Sequence, residues 1–186
     1  MFNAHTPKQG SLLLSEPFML DPNFERSVVL LCEHNEDGTV GMILNHRSQL
    51  LLSDVMDIEV VDFPLYIGGP VQNNAVFFLH RAIDKIPDST HIYEDIYWGG
   101  DFDQAIMMIN EGYLSTDEIK FFLGYSGWTA GQLGEEINQN SWAVHNKFST
   151  ELTFITDGED LWKQALISLG PKYAHVANFP KSPNLN

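Results

Sequence analysis

The sequence predicts an α/β protein of the α+β sandwich type, with a mixed, largely antiparallel sheet and flanking helices, built as one domain over residues 1–186. Three observations carry this expectation. Apolar runs rich in valine, leucine and phenylalanine crowd the first half of the chain. Capped, helix-spaced patterns fall mostly in the second half and alternate there with further strand-like runs. No repeat, linker or low-complexity block divides the chain, and its length is enough to bury a core without disulfides or metals.

In chain order, residues 11–15 (SLLLS) read as a first strand, followed by a loop holding Pro17 and Pro22. Residues 27–33 (SVVLLCE) are continuously apolar, the signature of a central strand covered on both faces. Asp37-Gly38 then predicts a tight hairpin turn with positive φ at its central residues, and residues 40–44 (VGMIL) return as the partner strand. A short helix is expected at 53–57 and a strand at 65–67 that ends at Gly68-Gly69-Pro70, because Pro70 has no N–H for a ladder. Further strands are expected at 75–80 (AVFFLH) and 92–98 (IYEDIYW).

Asp101 and Gln104 form a capping-box pair that opens a helix whose Phe102, Ala105, Ile106 and Ile109 make one stripe, closed by Gly112. Residues 120–124 (KFFLG) read as a strand running into a glycine-rich turn, and 129–138 as a helix capped by Thr129 and Gln132. A short strand follows at 142–144. The last helix starts at Thr156/Glu159, packs Leu161, Ala165, Leu166 and Leu169, and stops at Gly170-Pro171. Residues 180–186 read as a loose tail.

Charge and cysteine content narrow the function classes. The formal net charge is −15, and the ten lysines and arginines stand singly, with no two adjacent. A duplex or an anionic bilayer is bound through clustered cations, so direct nucleic-acid and membrane partners are not expected. The single cysteine, Cys32, excludes an intrachain disulfide and fits a reducing compartment. With no apolar leader in residues 1–10, a cytoplasmic location is expected.

Each chemical motif competes with a plainer packing role. In residues 121–140 a strand meets Gly124, Gly127, Gly131 and Gly134 and then a helix start, an arrangement that can hold an anion on free amide groups; equally, the glycines let a helix pack closely, with Tyr125 and Trp128 filling the seam. Ser126 does not match G-x-S-x-G, since Gly127 follows it directly. Cys32-Glu33-His34 offers ligand-type side chains, yet there is no second cysteine to build a zinc site; Cys32 reads as a small buried hydrophobe or, more sharply, as a redox-sensitive thiol. Arg26 can clamp an acidic group or pair with Asp21 to pin a loop. Gly68-Gly69-Pro70 can form a phosphate nest but matches no nucleotide-binding pattern. Glu135-Glu136 reads as a solvated helix face. No catalytic, cofactor or metal residue is identified, and the balance leans away from an enzyme.

Three blocks together resemble the bacterial AlgH/YqgE family: residues 10–45, with D-P-x-F-x-R-S-V-V-L-L-C-E-H and G-M-I-L-N; residues 66–71 (YIGGPV) with Leu79-His80 and 97–101 (YWGGD); and 124–133 (GYSGWTAGQL) with Asn140-Ser141-Trp142. Gly134 departs from the family pattern, which commonly has a glutamate there. The resemblance implies a compact α/β sandwich and an intracellular bacterial protein, and it transfers no catalytic residue. It does place Asp21, Arg26, Glu33, His34, Asn45, Gly68, Gly69, Pro70, His80, Tyr125, Gly127, Trp128 and Gln132 on the family pattern as a candidate surface site. Two readings follow. In the first, a non-enzymatic regulator, monomeric or weakly self-associating, binds a protein partner at an aromatic-edged groove near Tyr125 and Trp128 and acts indirectly on gene expression. In the second, Arg26, the Gly68-Gly69 turn and the helix start at Thr129 converge on an anionic, phosphorylated metabolite. A single cleft facing Arg26, His34, His80 and Trp128 would unite these residues.

Overall fold

The computed structural model describes residues 5–60, 63–156 and 158–180, without the side chain of Glu159. Among the described residues there are ten strands and five α-helices, the expected elements in their expected order with a few additions. They are β1 (Leu12–Ser15), β2 (Val28–Asn35), β3 (Gly38–Ile43), β4 (Arg47–Leu51), α1 (Leu52–Val55), β5 (Pro64–Ile67), β6 (Val71–His80), β7 (Thr90–Tyr93), β8 (Ile96–Trp98), α2 (Phe102–Asn110), β9 (Ile119–Thr129), α3 (Gln132–Asn138), β10 (Trp142–His145), α4 (Gly158–Leu169) and α5 (Pro171–Ala174). The main path of the sheet runs β10-β1-β2-β3-β9-β6-β8-β7, with β4 on β5 and β5 on β9. Only the β5–β9 pairing is parallel among the described strands, so the sheet is mixed and largely antiparallel as expected.

Alternation along β2 explains why it is buried on both sides. Val28, Leu30 and Cys32 join one core with Leu161, Trp162, Ala165 and Leu166 of α4. Val29 and Leu31 face the opposite way, into a second core with Leu133 and Ile137 of α3 and the rings of Trp128 and Trp142. A third core places Ala105 and Ile109 of α2 on Leu65, Phe78 and Phe121. Strand period and helix period therefore meet at each layer, and apolar area removed from water holds the layers together at roughly 25 cal/mol per Å².

Several expectations change. The β2–β3 turn is Glu36-Asp37, since Asn35 pairs with Gly38. Neither turn residue has positive φ; the Asn35 side chain instead accepts from the amides of Asp37 and Gly38 at 2.9 and 3.2 Å. Residues 92–98 are a hairpin, β7 and β8, turned at Glu94-Asp95 with Glu94 at φ 50°. The polar strand β4 gave no apolar signal in the sequence, and α1 is one turn that starts a residue before the helix expected at 53–57. Asp101 caps α2 by accepting from the Gln104 amide at 2.9 Å, but its own amide donates to the Pro87 carbonyl, so the reciprocal half of the box is absent.

The largest change concerns the glycine-rich segment, which is strand. β9 runs through Gly124, Ser126 and Gly127 to Thr129, and its second half pairs with β3, Val40 opposite Gly127 and Thr39 opposite Trp128. Helix α3 begins only at Gln132, after Gly131 at φ 80°. No atom lies within 4 Å of a side chain built at Gly131 or Gly134, so neither glycine marks a close approach. The expected anion-binding turn does not form. The Glu159 side chain, on which the Thr156/Glu159 box depends, and most of the tail lie outside the described residues.

Candidate functional site

The expected residues do not share one cleft. They divide between a groove beside β9, a cavity at Arg26, the buried interior and exposed positions outside both openings (Asp21, Pro70, Gln132), and no residue lines both openings.

The groove, about 410 Å³, is bounded on one side by the β2–β3 hairpin (Glu33, Asn35, Asp37, Gly38, Thr39, Val40) and on the other by Val71, Tyr125, Gly127, Trp128 and Thr129. Strand register makes it: Val40 stands opposite Gly127, and Val71 opposite Tyr125. A side chain built at Gly127 would come no closer than 3.4 Å to the Tyr125 ring and 3.8 Å to Val71, so the bare glycine leaves the floor open. Val71 is 36% exposed, and Tyr125 is half-buried against the Phe77 ring at 5.7 Å. The rim is acidic. Glu33 and Asp37 are exposed, Glu33 holding the Asn35 amide at 2.8 Å, and no lysine or arginine lines the opening.

Trp128 supports the groove from behind and presents little face of its own. It is buried, stacked on Phe24 with centroids 6.0 Å apart, and edge-on to Trp142. Its indole N–H donates to Glu136 at 2.9 Å, and Trp142 donates to the same oxygen at 2.7 Å. Gln132 donates to the other Glu136 oxygen at 3.0 Å and accepts from the Thr129 amide. Glu136 is thus a three-donor anchor and not a solvated charge, a role that adjacency in sequence does not reveal.

The second opening, about 270 Å³, is lined by Pro22, Glu25, Arg26, Asn45, His46, Gly158 and Trp162. Arg26 has φ 46°, an uncommon conformation for a non-glycine residue. Asn45 fixes it, donating to the Arg26 carbonyl at 2.8 Å and to the Gly158 carbonyl at 3.1 Å while accepting from the Val28 amide at 2.8 Å. The expected Asp21–Arg26 pair does not form; Asp21 accepts from the Asn23 amide and side chain instead.

Most of the remaining residues are interior, with His34 half-buried and Pro70 exposed. Cys32 is buried in the main core, and burial pushes its thiol well above its ordinary range, so the redox-sensitive reading is replaced by packing. His34 meets Thr39 Oγ1 at 2.7 Å. Gly68 and Gly69 are pressed on β9: Gly68 donates to the Leu123 carbonyl, and its own carbonyl accepts from the Ile43 amide and the Ser126 hydroxyl. With that amide spent and Pro70 lacking one, the phosphate nest does not form.

His80 is fully buried. Its Nδ1 accepts from the Ala82 amide at 3.1 Å, so Nε2 carries the proton toward Ser89 Oγ and the Gly99 carbonyl. Burial holds His80 below the ordinary 6.5, with the Gly99 bond opposing. The unfolded chain therefore takes up this proton first as pH falls. The stability tied to neutral His80 is complete above 6.5 and is lost as pH drops through the folded value, by up to about 1.4 kcal/mol per pH unit. Urea midpoints should hold steady above 6.5 and fall as pH is lowered below it, with a smaller fall in His80→Gln.

The sequence alone did not point to Val40, Val71 and Asp37 in the groove, or to Glu25, His46, Gly158 and Trp162 at the cavity. Cross-strand register, which the sequence does not display, brings the first set together. Lys120, also unremarked, is buried on β9. It donates to the carbonyls of Thr153 and Ile155 at 3.2 and 2.8 Å over the Tyr66 ring, and burial pushes its ammonium down to about 7. Among the described residues no group of three or more His, Cys, Asp or Glu is placed to hold a metal ion, and no helix is long and apolar enough to cross a membrane.

A family model described as AlgH-like matches residues 12–174. A UPF0301 protein of Parabacteroides distasonis is 44% identical, covering 99% of this chain and 94% of its own length. One from Cytophaga hutchinsonii is 43% identical over 96% of this chain and 98% of its own. Among solved structures, the solution structure of the AlgH protein from Pseudomonas aeruginosa aligns with a TM-score of 0.72 at 26% identity, covering 96% of this chain and 98% of that one. A crystal structure of a Corynebacterium diphtheriae protein aligns with a TM-score of 0.78 at 24% identity, over 96% of this chain and 95% of that one, and speaks to the fold alone.

Proposed function

The chain belongs to the AlgH-like family, and on that premise we propose that it is a non-enzymatic regulatory protein that binds a cationic, apolar-bearing segment of a protein partner in the groove beside Gly127. The observation that carries this reading is the groove's composition. An apolar floor of Val40, Val71 and Tyr125 is edged on the hairpin side by the exposed carboxylates of Glu33 and Asp37, with no cation among the lining residues. Apolar contact supplies affinity, while the acidic rim and a net charge of −15 select and steer a basic partner. The same charge disfavours contact with nucleic-acid phosphates, so an effect on gene expression would pass through the partner.

Gly127→Val tests the proposal cleanly. Gly127 is not at positive φ and has room for a β-carbon, so the fold should keep its stability to within about 1 kcal/mol. The added methyls fill the floor. Fluorescence anisotropy with a labelled, extended peptide that alternates lysine and leucine should show affinity at least about tenfold weaker in the variant. Binding to the wild type should also weaken with salt and in the Glu33→Gln/Asp37→Asn double variant. Equal affinity in wild type and Gly127→Val would refute the assignment.

A further inference from the structure

Arg26 is a buried cation without a counter-ion among the described residues. It is 9% exposed, and its Nε has no hydrogen-bond partner. The ion pairs among the described residues are Arg81–Asp95 and Lys85–Glu118, so no carboxylate among them compensates the guanidinium. Arginine is rarely buried unless paired, because an isolated charge loses its hydration and gains nothing in return. What the protein does supply is orientation. The Trp162 ring covers one face of the guanidinium, with Cζ 4.8 Å from its centroid. The Phe179 carbonyl accepts from Nη2 at 2.5 Å and Nε is enclosed, so an acceptor in the opening would meet the part of the guanidinium that lines it. Guanidinium N–H groups in that geometry match the oxygens of a phosphate.

A second feature of the same cavity points to the same ligand. Gly158, on its lining, is the first residue of the twelve-residue helix α4. The opening turn of a helix carries amides without intrahelical partners and the positive end of the dipole. A side chain at Gly158 would stand 2.0 Å from the Asn45 carbonyl oxygen, so only glycine lets this helix start approach as closely. Asn45 ties the two elements together, holding the carbonyls of Arg26 and Gly158 with one amide group. Glu25, exposed on the same lining, disfavours a second anionic group there and suits a hydroxyl. About 270 Å³ is below the usual size of a nucleotide pocket.

We propose that this cavity binds the phosphate group of a small, hydroxyl-bearing phosphate monoester, with Arg26 and the first turn of α4 as the anion cradle. This site is independent of the groove and stands or falls without it. The experiment is a titration of the protein with inorganic phosphate and a panel of small sugar and hydroxy-acid phosphates, with sodium chloride at matched ionic strength as control. It is followed by NMR at the Arg26 Nε–H and the Gly158 amide, and by calorimetry. Phosphate should move both signals, chloride neither, and at least one monoester should bind about tenfold or more tightly than phosphate itself. Arg26→Lys should lose at least about tenfold in affinity. Glu25→Gln, at an exposed position that does not threaten the fold, should bind severalfold more tightly. The proposal is overturned if both signals stay still across the panel, if Glu25→Gln leaves affinity unchanged, or if only polycarboxylates bind.

Discussion

Gly69→Ala is expected to unfold the chain or to cost more than about 3 kcal/mol, the largest single-residue loss in the sheet. A β-carbon at Gly69 would sit 2.2 Å from the carbonyl carbon and oxygen of Tyr125 and 2.4 Å from the Ser126 amide nitrogen, with φ at 155°. Every one of those neighbours is backbone in β9, which β3 and β6 hold on either side. There is no flexible side chain to swing away, so relief requires moving a paired strand. Gly112→Ala serves as the control: its φ is also positive, at 78°, but nothing lies within 4 Å, so it should cost only about 1 kcal/mol. Urea denaturation of the two variants reads the difference directly. Similar losses would mean that the Gly68-Gly69 turn does not lie against β9 as described.

Lys120→Met is expected to remove a pH dependence that the wild type carries. Burial lowers the Lys120 ammonium from the ordinary 10.5 to about 7. Between those values the unfolded chain binds a proton that the folded chain has released, so folding gains as pH rises, by roughly 1.4 kcal/mol per unit. Below about 7 both states are charged, and the folded state bears the full burial cost. The Thr153 and Ile155 carbonyls and the Tyr66 ring favour the charged form and oppose the shift. Wild type should therefore gain on the methionine variant steadily above neutral pH, measured as the difference in unfolding free energy from pH 6 to 9. Parallel curves would show that those three partners keep Lys120 near its ordinary value.

The layered fold was readable in the sequence because each layer rests on local periodicity. The run Val28–Cys32 announces a two-sided strand, and Leu161, Ala165 and Leu166 announce the helix that covers one side of it. The glycine-rich stretch misled for a physical reason. Gly124, at φ 65°, would meet the Gly69 and Val71 carbonyls at 2.6 and 2.7 Å if it carried a side chain. Its glycine serves a strand crowded by neighbouring backbone, and composition cannot separate that need from a turn. The candidate site was readable only in pieces. Tyr125, Gly127 and Glu33 do line the groove, but Val40, Val71 and Asp37 come to it through register and a turn. Arg26 lines the second cavity but is not paired with Asp21, which closes its own turn on Asn23. His80 and Trp128, which look equally prominent in the sequence, serve packing and hydrogen bonding.

The groove beside Gly127 is the surface proposed to meet the partner. The direct measurement is an amide chemical-shift map of the isotope-labelled protein during titration with the lysine–leucine peptide. Binding in the groove should give saturable shifts confined to the β2–β3 turn, Val40, Val71 and residues 125–129, weakening as salt is added. Shifts centred on another face, or shifts that never saturate, would contradict it.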